Sequence, residues 1–219
     1  MSSKSLIVTS MRKGFTLIEM IGVLAIIAIL VAAIAPRIFE AIDDSKVTSA
    51  TASFKSMQGA VVKYYADVGA LYPLNSATGV PAAVAAATSA TANGLPSVLV
   101  LQAAPVGTGL WPRFRGPYMD NLNTNNPPLG QTMTVSAVAG VATALAAATA
   151  TFDFNGDGTN DLTATNQVVF ITLTGISERQ FLKVDGIMDA GIGTDLATQS
   201  LQGKVKFAAG TMYVYIAHK

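Results

Sequence analysis

Nine consecutive residues, Asp153-Phe154-Asn155-Gly156-Asp157-Gly158-Thr159-Asn160-Asp161, set oxygen-bearing side chains at alternate positions, the way a loop presents ligands to a hard cation. Side-chain oxygens of Asp153, Asn155, Asp157 and Asp161, the backbone carbonyl of Thr159 and a turning glycine at Gly158 match the first part of a Ca²⁺ loop. The pattern then departs, because Ala164 stands where a bidentate glutamate would close the site. A hairpin turn accounts for the same residues, since Asp-Gly between two strand-like runs is a strong turn signal on its own. Ca²⁺ and the plain turn therefore both stay open. Asp185, Asp189 and Asp195 make a thinner acidic cluster that reads as solvated loop residues.

Other chemistries find little support. The chain has no cysteine, which removes disulfides, thiolate metal sites and a cysteine nucleophile. Its single histidine, His218, lies beside the carboxyl terminus, where chain ends fray and a general base is poorly held. No spacing of nucleophile, base and oxyanion donors is visible, so the expectation is that the chain is not an enzyme. Of 14 basic and 13 acidic residues, Lys4, Arg12 and Lys13 fall in the first 14 positions with no acid among them. The rest is mildly acidic, and no basic stripe invites nucleic acid.

The other charged residue out of place is Glu19. It lies inside Phe15 to Ala35, FTLIEMIGVLAIIAILVAAIA, which is apolar all round apart from Glu19 and Thr16. As a helix those residues would be about 31 Å long, enough to span a bilayer. Arg12 and Lys13 before it predict a cytoplasmic amino terminus. A secretory signal would fit Ala33 and Ala35, but Pro36 directly after them would obstruct the cut. A plain single-pass anchor explains everything except Glu19 and the sharp junction at Gly14–Phe15. A carboxylate in hydrocarbon needs a partner or a cavity.

The string Lys13-Gly14-Phe15-Thr16-Leu17-Ile18-Glu19 resembles the processing site of type IV prepilins and of type II secretion pseudopilins. The resemblance implies that a prepilin peptidase cuts after Gly14 and methylates the new Phe15 amine, and that the apolar segment is kept as a filament core. It covers roughly residues 11 to 75. A cut there creates an ammonium on Phe15 that a neighbouring subunit could offer to Glu19, making Glu19 a register key. Pro36 removes an intrahelical hydrogen bond and should kink or loosen the helix near residues 32 to 36. Trp111 to Asp120, with Gly116-Pro117-Tyr118 and the following Asn126-Pro127 and Gly130, is similar to a segment of major pseudopilins. Pseudopilins of the resembling family hold calcium in carboxyl-terminal loops, and no residue-by-residue match places 153–161 on theirs.

The elements that must carry these residues follow from periodicity. Val47, Ala50, Phe54, Met57, Val61, Tyr64 and Val68 fall three and four apart and predict an amphipathic helix packed on a sheet, ending at Gly69 and Pro73. An aromatic cluster such as Tyr64, Tyr65 and Tyr72 is read as packing. Strands are predicted at Val168–Leu173, Lys204–Phe207 and Thr211–Ala217. Ser177 with Gln180 predicts a capped helix through about Asp189. Of two Ala/Thr-rich tracts, 82–93 is expected to form a short helix and 135–151 a strand at its end, near Thr149 to Phe152. Trp111, Phe114 and Tyr118 are expected to pin a long loop. The class is α+β: a long amino-terminal helix packed on a carboxyl-terminal antiparallel sheet.

The domain reading is a cleaved leader at 1–14, a membrane or filament-core helix at 15–36, an amphipathic helix at 37–70 and a head at 71–219. The function implied is a structural subunit of an extracellular type IV pilus-like filament, assembled through its amino-terminal helix. The alternatives are a type II secretion pseudopilin and, in another class, a membrane-anchored extracytoplasmic binding module. Implied partners are identical or related pilin subunits, the prepilin peptidase and inner-membrane assembly machinery. The implied localisation is the bacterial inner membrane before assembly, then an extracellular pilus or a periplasmic pseudopilus.

Overall fold

The computed structural model describes residues 14–74, 81, 84–87, 94–102, 109–122, 126–139, 151–162, 166–190, 192–193 and 195–219. Two compact units divide the chain after Ile42. Helix α1 runs from Leu17 to Val68, so the head begins at Asp43 and includes the second half of that helix. The first unit holds the remainder of α1, which stays helical through Pro36; the expected loosening there does not interrupt it.

Within residues 43–219 the periodic stripe organises the core. All seven of its residues, from Val47 to Val68, are at most 2% exposed. They join one apolar cluster with alternate residues of the strands: Met133, Val135 and Ala137, then Val169, Ile171 and Leu173, then Met212, Val214 and Ile216. Helix period on one side and strand period on the other thus meet in a single layer. The sheet contains β1 (Val84–Ala87), β2 (Thr132–Ala139), β3 (Gln167–Thr174), β4 (Val205–Ala208) and β5 (Thr211–His218) in the order β1-β2-β3-β5-β4, with every pair antiparallel. Register is regular between β2 and β3, from Thr132 opposite Thr174 to Ala139 opposite Gln167. The α+β class is as expected.

Two Ala/Thr-rich expectations need correction. Val84–Ala87 is an edge strand, not a short helix, because pairing with β2 satisfies backbone groups that a weak alanine preference for helix does not hold. In the second tract the strand is at the start, Thr132–Ala139, while Thr151 and Phe152 are outside any strand; residues 140–150 lie outside the described residues. Among the described residues the head also holds three shorter α-helices, α2 (Leu95–Val100), α3 (Glu178–Met188) and α4 (Leu196–Gln199). Helix α3 starts with the predicted capping box, Ser177 accepting from Gln180 N while the Gln180 side chain accepts from Ser177 N.

The predicted aromatic pin is present. Trp111 and Phe114 meet edge to face at 5.5 Å, Phe114 and Tyr118 at 5.2 Å, and Tyr118 meets Tyr64 of α1 at 5.6 Å. Tyr118 Oη donates to Asp67 Oδ2 at 2.9 Å and accepts from Arg115 N at 2.9 Å. The loop that carries Gly116-Pro117-Tyr118 is thereby fastened to α1.

The other face of the sheet carries a smaller cluster of Phe152, Leu162 and Val168, with Phe154, Phe170 and Tyr215 against it. Lys206 of β4 is fully buried beside it, with Nζ donating to Thr151 Oγ1 at 3.3 Å and lying 4.8 Å from the Phe152 ring centroid. Burial pushes the Lys206 amine down to about 7 from 10.5. Its folded value lies below its unfolded one, so its contribution to stability grows as pH rises from about 7 towards 10.5 and is lost as pH falls. The urea midpoint of the full-length chain in detergent should therefore rise over that window. Lys206→Met should raise stability at neutral pH and flatten the rise; parallel pH profiles for the two proteins would refute the assignment.

Candidate functional site

The amino-terminal segment reverses the usual order of burial. Phe15, Leu17, Ile18, Ile26, Ile29 and the other large apolar side chains up to Ile42 are exposed, at 45% or more, whereas α1 from Val47 onward buries its apolar stripe. This is the one helix among the described residues that is long and apolar enough to cross a membrane, judged by length and composition. A continuous apolar surface of this kind marks a site that another apolar phase covers.

Thr16 and Glu19 open the helix. The Thr16 backbone N–H and the Thr16 hydroxyl both donate to Glu19 Oε2, each at 2.8 Å, and Glu19 N donates back to Thr16 Oγ1 at 3.3 Å. That reciprocal pair is a capping box, with Thr16 as the N-cap and Glu19 three residues on. A carboxylate there also faces the positive end of the helix dipole. Glu19 thus has a partner within its own chain, one that the Thr-x-x-Glu spacing announces. Both bonds fall on Oε2, so Oε1 keeps its lone pairs for a further donor. Gly14 and Phe15 lie directly before the box, next to each other, while Lys4, Arg12 and Lys13 lie outside the described residues.

The acidic loop closes on itself. Asp153 is fully buried, accepting from Gly156 N (2.7 Å) and Asp157 N (3.2 Å) on Oδ1 and from Gly158 N (2.8 Å) on Oδ2. Gly158 has φ +85°, the left-handed conformation expected of the turning glycine. Asp157 Oδ1 accepts from the Thr159 N–H and hydroxyl, which hold its carboxyl below the usual range. The Asn155 amide donates to both Asp157 Oδ2 (3.1 Å) and Asp161 Oδ1 (3.4 Å), and Phe154 N donates to Asp161 Oδ2 (2.7 Å). The five expected positions are therefore gathered in one loop, with N–H groups as the donors. Among the described residues no three carboxylate, histidine or cysteine side chains converge as a metal centre. Position 164 lies outside the described residues.

Two of the three remaining acids differ from expectation. Asp195 is the exposed N-cap of α4, accepting from Thr198 N at 2.9 Å. Asp185 and Asp189 are not solvated; they are 3% and 4% exposed. Their spacing of four places both on one face of the last turn of α3, and residues 203–205 close over that face. The helical spacing was visible in the sequence. The cover from Gly203 to Val205, brought by a later strand, was not.

Comparison with known proteins bears on the amino-terminal end. The family described as "Prokaryotic N-terminal methylation motif" matches residues 9–35. The chain is also similar to "Fimbrial protein EcpC" of Eikenella corrodens, 40% identical over 73 residues, or 33% of this chain. It spans about half the length of that curated relative, 48%. No solved structure matches it. Residues 9–35 match the prokaryotic N-terminal methylation motif, and the similarity of the chain to type IV pilin-like proteins includes that segment.

Proposed function

We propose that this chain is a structural subunit of an extracellular type IV pilus-like filament and has no enzymatic role. One observation carries the reading: a helix that begins inside the methylation motif exposes apolar side chains on all sides from Phe15 to Ile42. Those side chains are exposed, so lipid covers them before assembly and the stems of other subunits cover them afterwards. Repeated head-to-tail contacts of this kind give an open helix. Prepilin peptidase cleaves between Gly14 and Phe15 and methylates Phe15, and inner-membrane machinery draws the subunit into the filament. The Phe15 ammonium of one subunit pairs with Glu19 of its neighbour, while the capping box holds that carboxylate in place. Pro36 loosens the stem only on assembly. A type II secretion pseudopilin is the second reading, favoured by the Gly116-Pro117-Tyr118 segment anchored on Asp67.

For residues 153–161 we propose Ca²⁺ on the donor types alone: Asp153, Asn155, Asp157 and Asp161 side chains with the Thr159 carbonyl offer the oxygens a hard cation takes. Such an ion would clip a loop in a chain without cysteine. In the detergent-solubilised full-length protein, a calcium-dependent rise in Tm that Asp157→Asn lowers is expected; an undiminished rise in Asp157→Asn would remove calcium from this loop.

Mass spectrometry of membrane or filament fractions should show an N-terminal methyl-Phe15, and an intact leader or a start at Pro36 would overturn the filament reading. Glu19→Gln separates the two roles of that side chain, because glutamine also serves a capping box but carries no charge. The expectation is normal membrane content with filament yield reduced at least about tenfold, comparable to Glu19→Ala, which is roughly what loss of one desolvated charge pair implies. Filaments at normal yield from Glu19→Gln would leave capping as the whole role of Glu19.

A further inference from the structure

We infer that Asp185 and Asp189 hold a hard divalent cation at the carboxyl-terminal end of α3, with Ca²⁺ the best-fitting ion. The inference is independent of the filament reading. Asp189 is the C-cap of α3 and Asp185 lies one turn before it. Asp189 Oδ2 accepts from Lys204 N at 2.6 Å and Val205 N at 2.7 Å, which fixes the carboxylate plane. Gly203, at φ +84°, lets the backbone pass so close that a Cβ there would meet Asp189 Oδ2 at 2.6 Å. The remaining oxygen, Asp189 Oδ1, is buried with no hydrogen-bond partner, and so is Asp185 Oδ1.

Three effects act against this pair as it stands. Each carboxylate has lost water without a full set of donors. The two repel one another, and both sit at the negative end of the helix dipole, where the last turn contains no basic residue. Burial, and then the Asp189 charge, push Asp185 up to about 7; burial raises Asp189 also, against the pull of the Val205 and Lys204 N–H groups and the Lys204 charge. Lys204 is itself exposed and lies across the backbone turn, so its ammonium is screened by solvent.

A shared proton would leave one negative charge buried at the helix end. A divalent cation balances both charges and uses the two orphaned oxygens as ligands. Further oxygens are at hand in water and in the carbonyls that a helix end leaves without intrahelical partners. Calcium accepts such an irregular set, whereas magnesium demands near-ideal octahedral geometry.

The test uses the full-length protein in detergent micelles, with Ca²⁺, Mg²⁺ or chelator at matched ionic strength. Calcium at about 100 times its dissociation constant should raise Tm by about 5–10 °C over chelator, with magnesium weaker. The part of that rise that persists in Asp157→Asn should be lost when Asp185→Asn or Asp189→Asn is added. The asparagine variants remove repulsion, so they are expected to fold; circular dichroism and the chelator Tm verify that. A calcium response of Asp157→Asn that survives the addition of Asp185→Asn, or an Asp157→Asn protein with no calcium response, overturns the inference. So does a wild type indifferent to calcium whose Tm rises as pH falls through about 7, the signature of a proton shared by the pair.

Discussion

The head depends on one row of side chains, the stripe on α1 from Val47 to Val68. Nine positions of that half-helix are buried, the seven of the stripe joined by Thr51 and Ala60. The sheet has one face whose alternate residues need an apolar cover, and this row supplies it. The same helix carries a second kind of surface up to Ala35, apolar all round apart from Glu19 and exposed in its large side chains. A helix hydrophobic all round requires an apolar phase on all sides, whereas a striped one requires it on one side. The change from one pattern to the other along α1 marks where burial by the chain itself begins.

Much of the core was legible because its signals are local. Spacing of three and four from Val47 marked the buried face, runs of β-branched and aromatic residues marked β3 and β5, and Ser177 with Gln180 marked the start of α3. Where side chains are small and uniform, periodicity carries little information. In the alanine-rich tracts pairing decides instead: β1 exists because β2 offers an edge, and β2 because β3 does. Such partners lie tens of residues away, beyond any window that a local pattern spans. The methylation motif at the other end of the chain was legible for the opposite reason. There the residues themselves, read in order, are the signal, and no pairing with a distant segment is needed to see it.

Four acids show how differently one chain can satisfy a carboxylate. Glu19 takes N–H and O–H donors from the helix start it caps. Asp153, although fully buried, collects three backbone N–H groups by bending the chain around itself. Asp189 satisfies one oxygen with two N–H groups from the entry to β4, and its other oxygen has none. Asp185 has a buried oxygen without a partner. The series follows the availability of unpaired N–H groups: plentiful at helix starts and in turns, scarce at helix ends, where carbonyls are exposed instead.

That scarcity explains why the burial of the α3 acids was not legible in the sequence. A carboxylate at a helix start or in an Asp-Gly turn brings its donors with it in sequence, so both reading and satisfaction are local. At the carboxyl-terminal turn of α3 the neighbours in sequence supply only more oxygen, and compensation must come from elsewhere in the fold or from solution. Residues 203–205 supply half of it to Asp189, and they can approach only because position 203 lacks a side chain. Gly203 N also donates to Asp153 O at 2.6 Å, and Gln202 Nε2 to Gly156 O at 3.1 Å. The short segment before β4 therefore ties the end of α3 to the acidic loop, two segments that the sequence separates by more than twenty residues. In a chain with no disulfide, the geometry of both acidic segments rests on that connection.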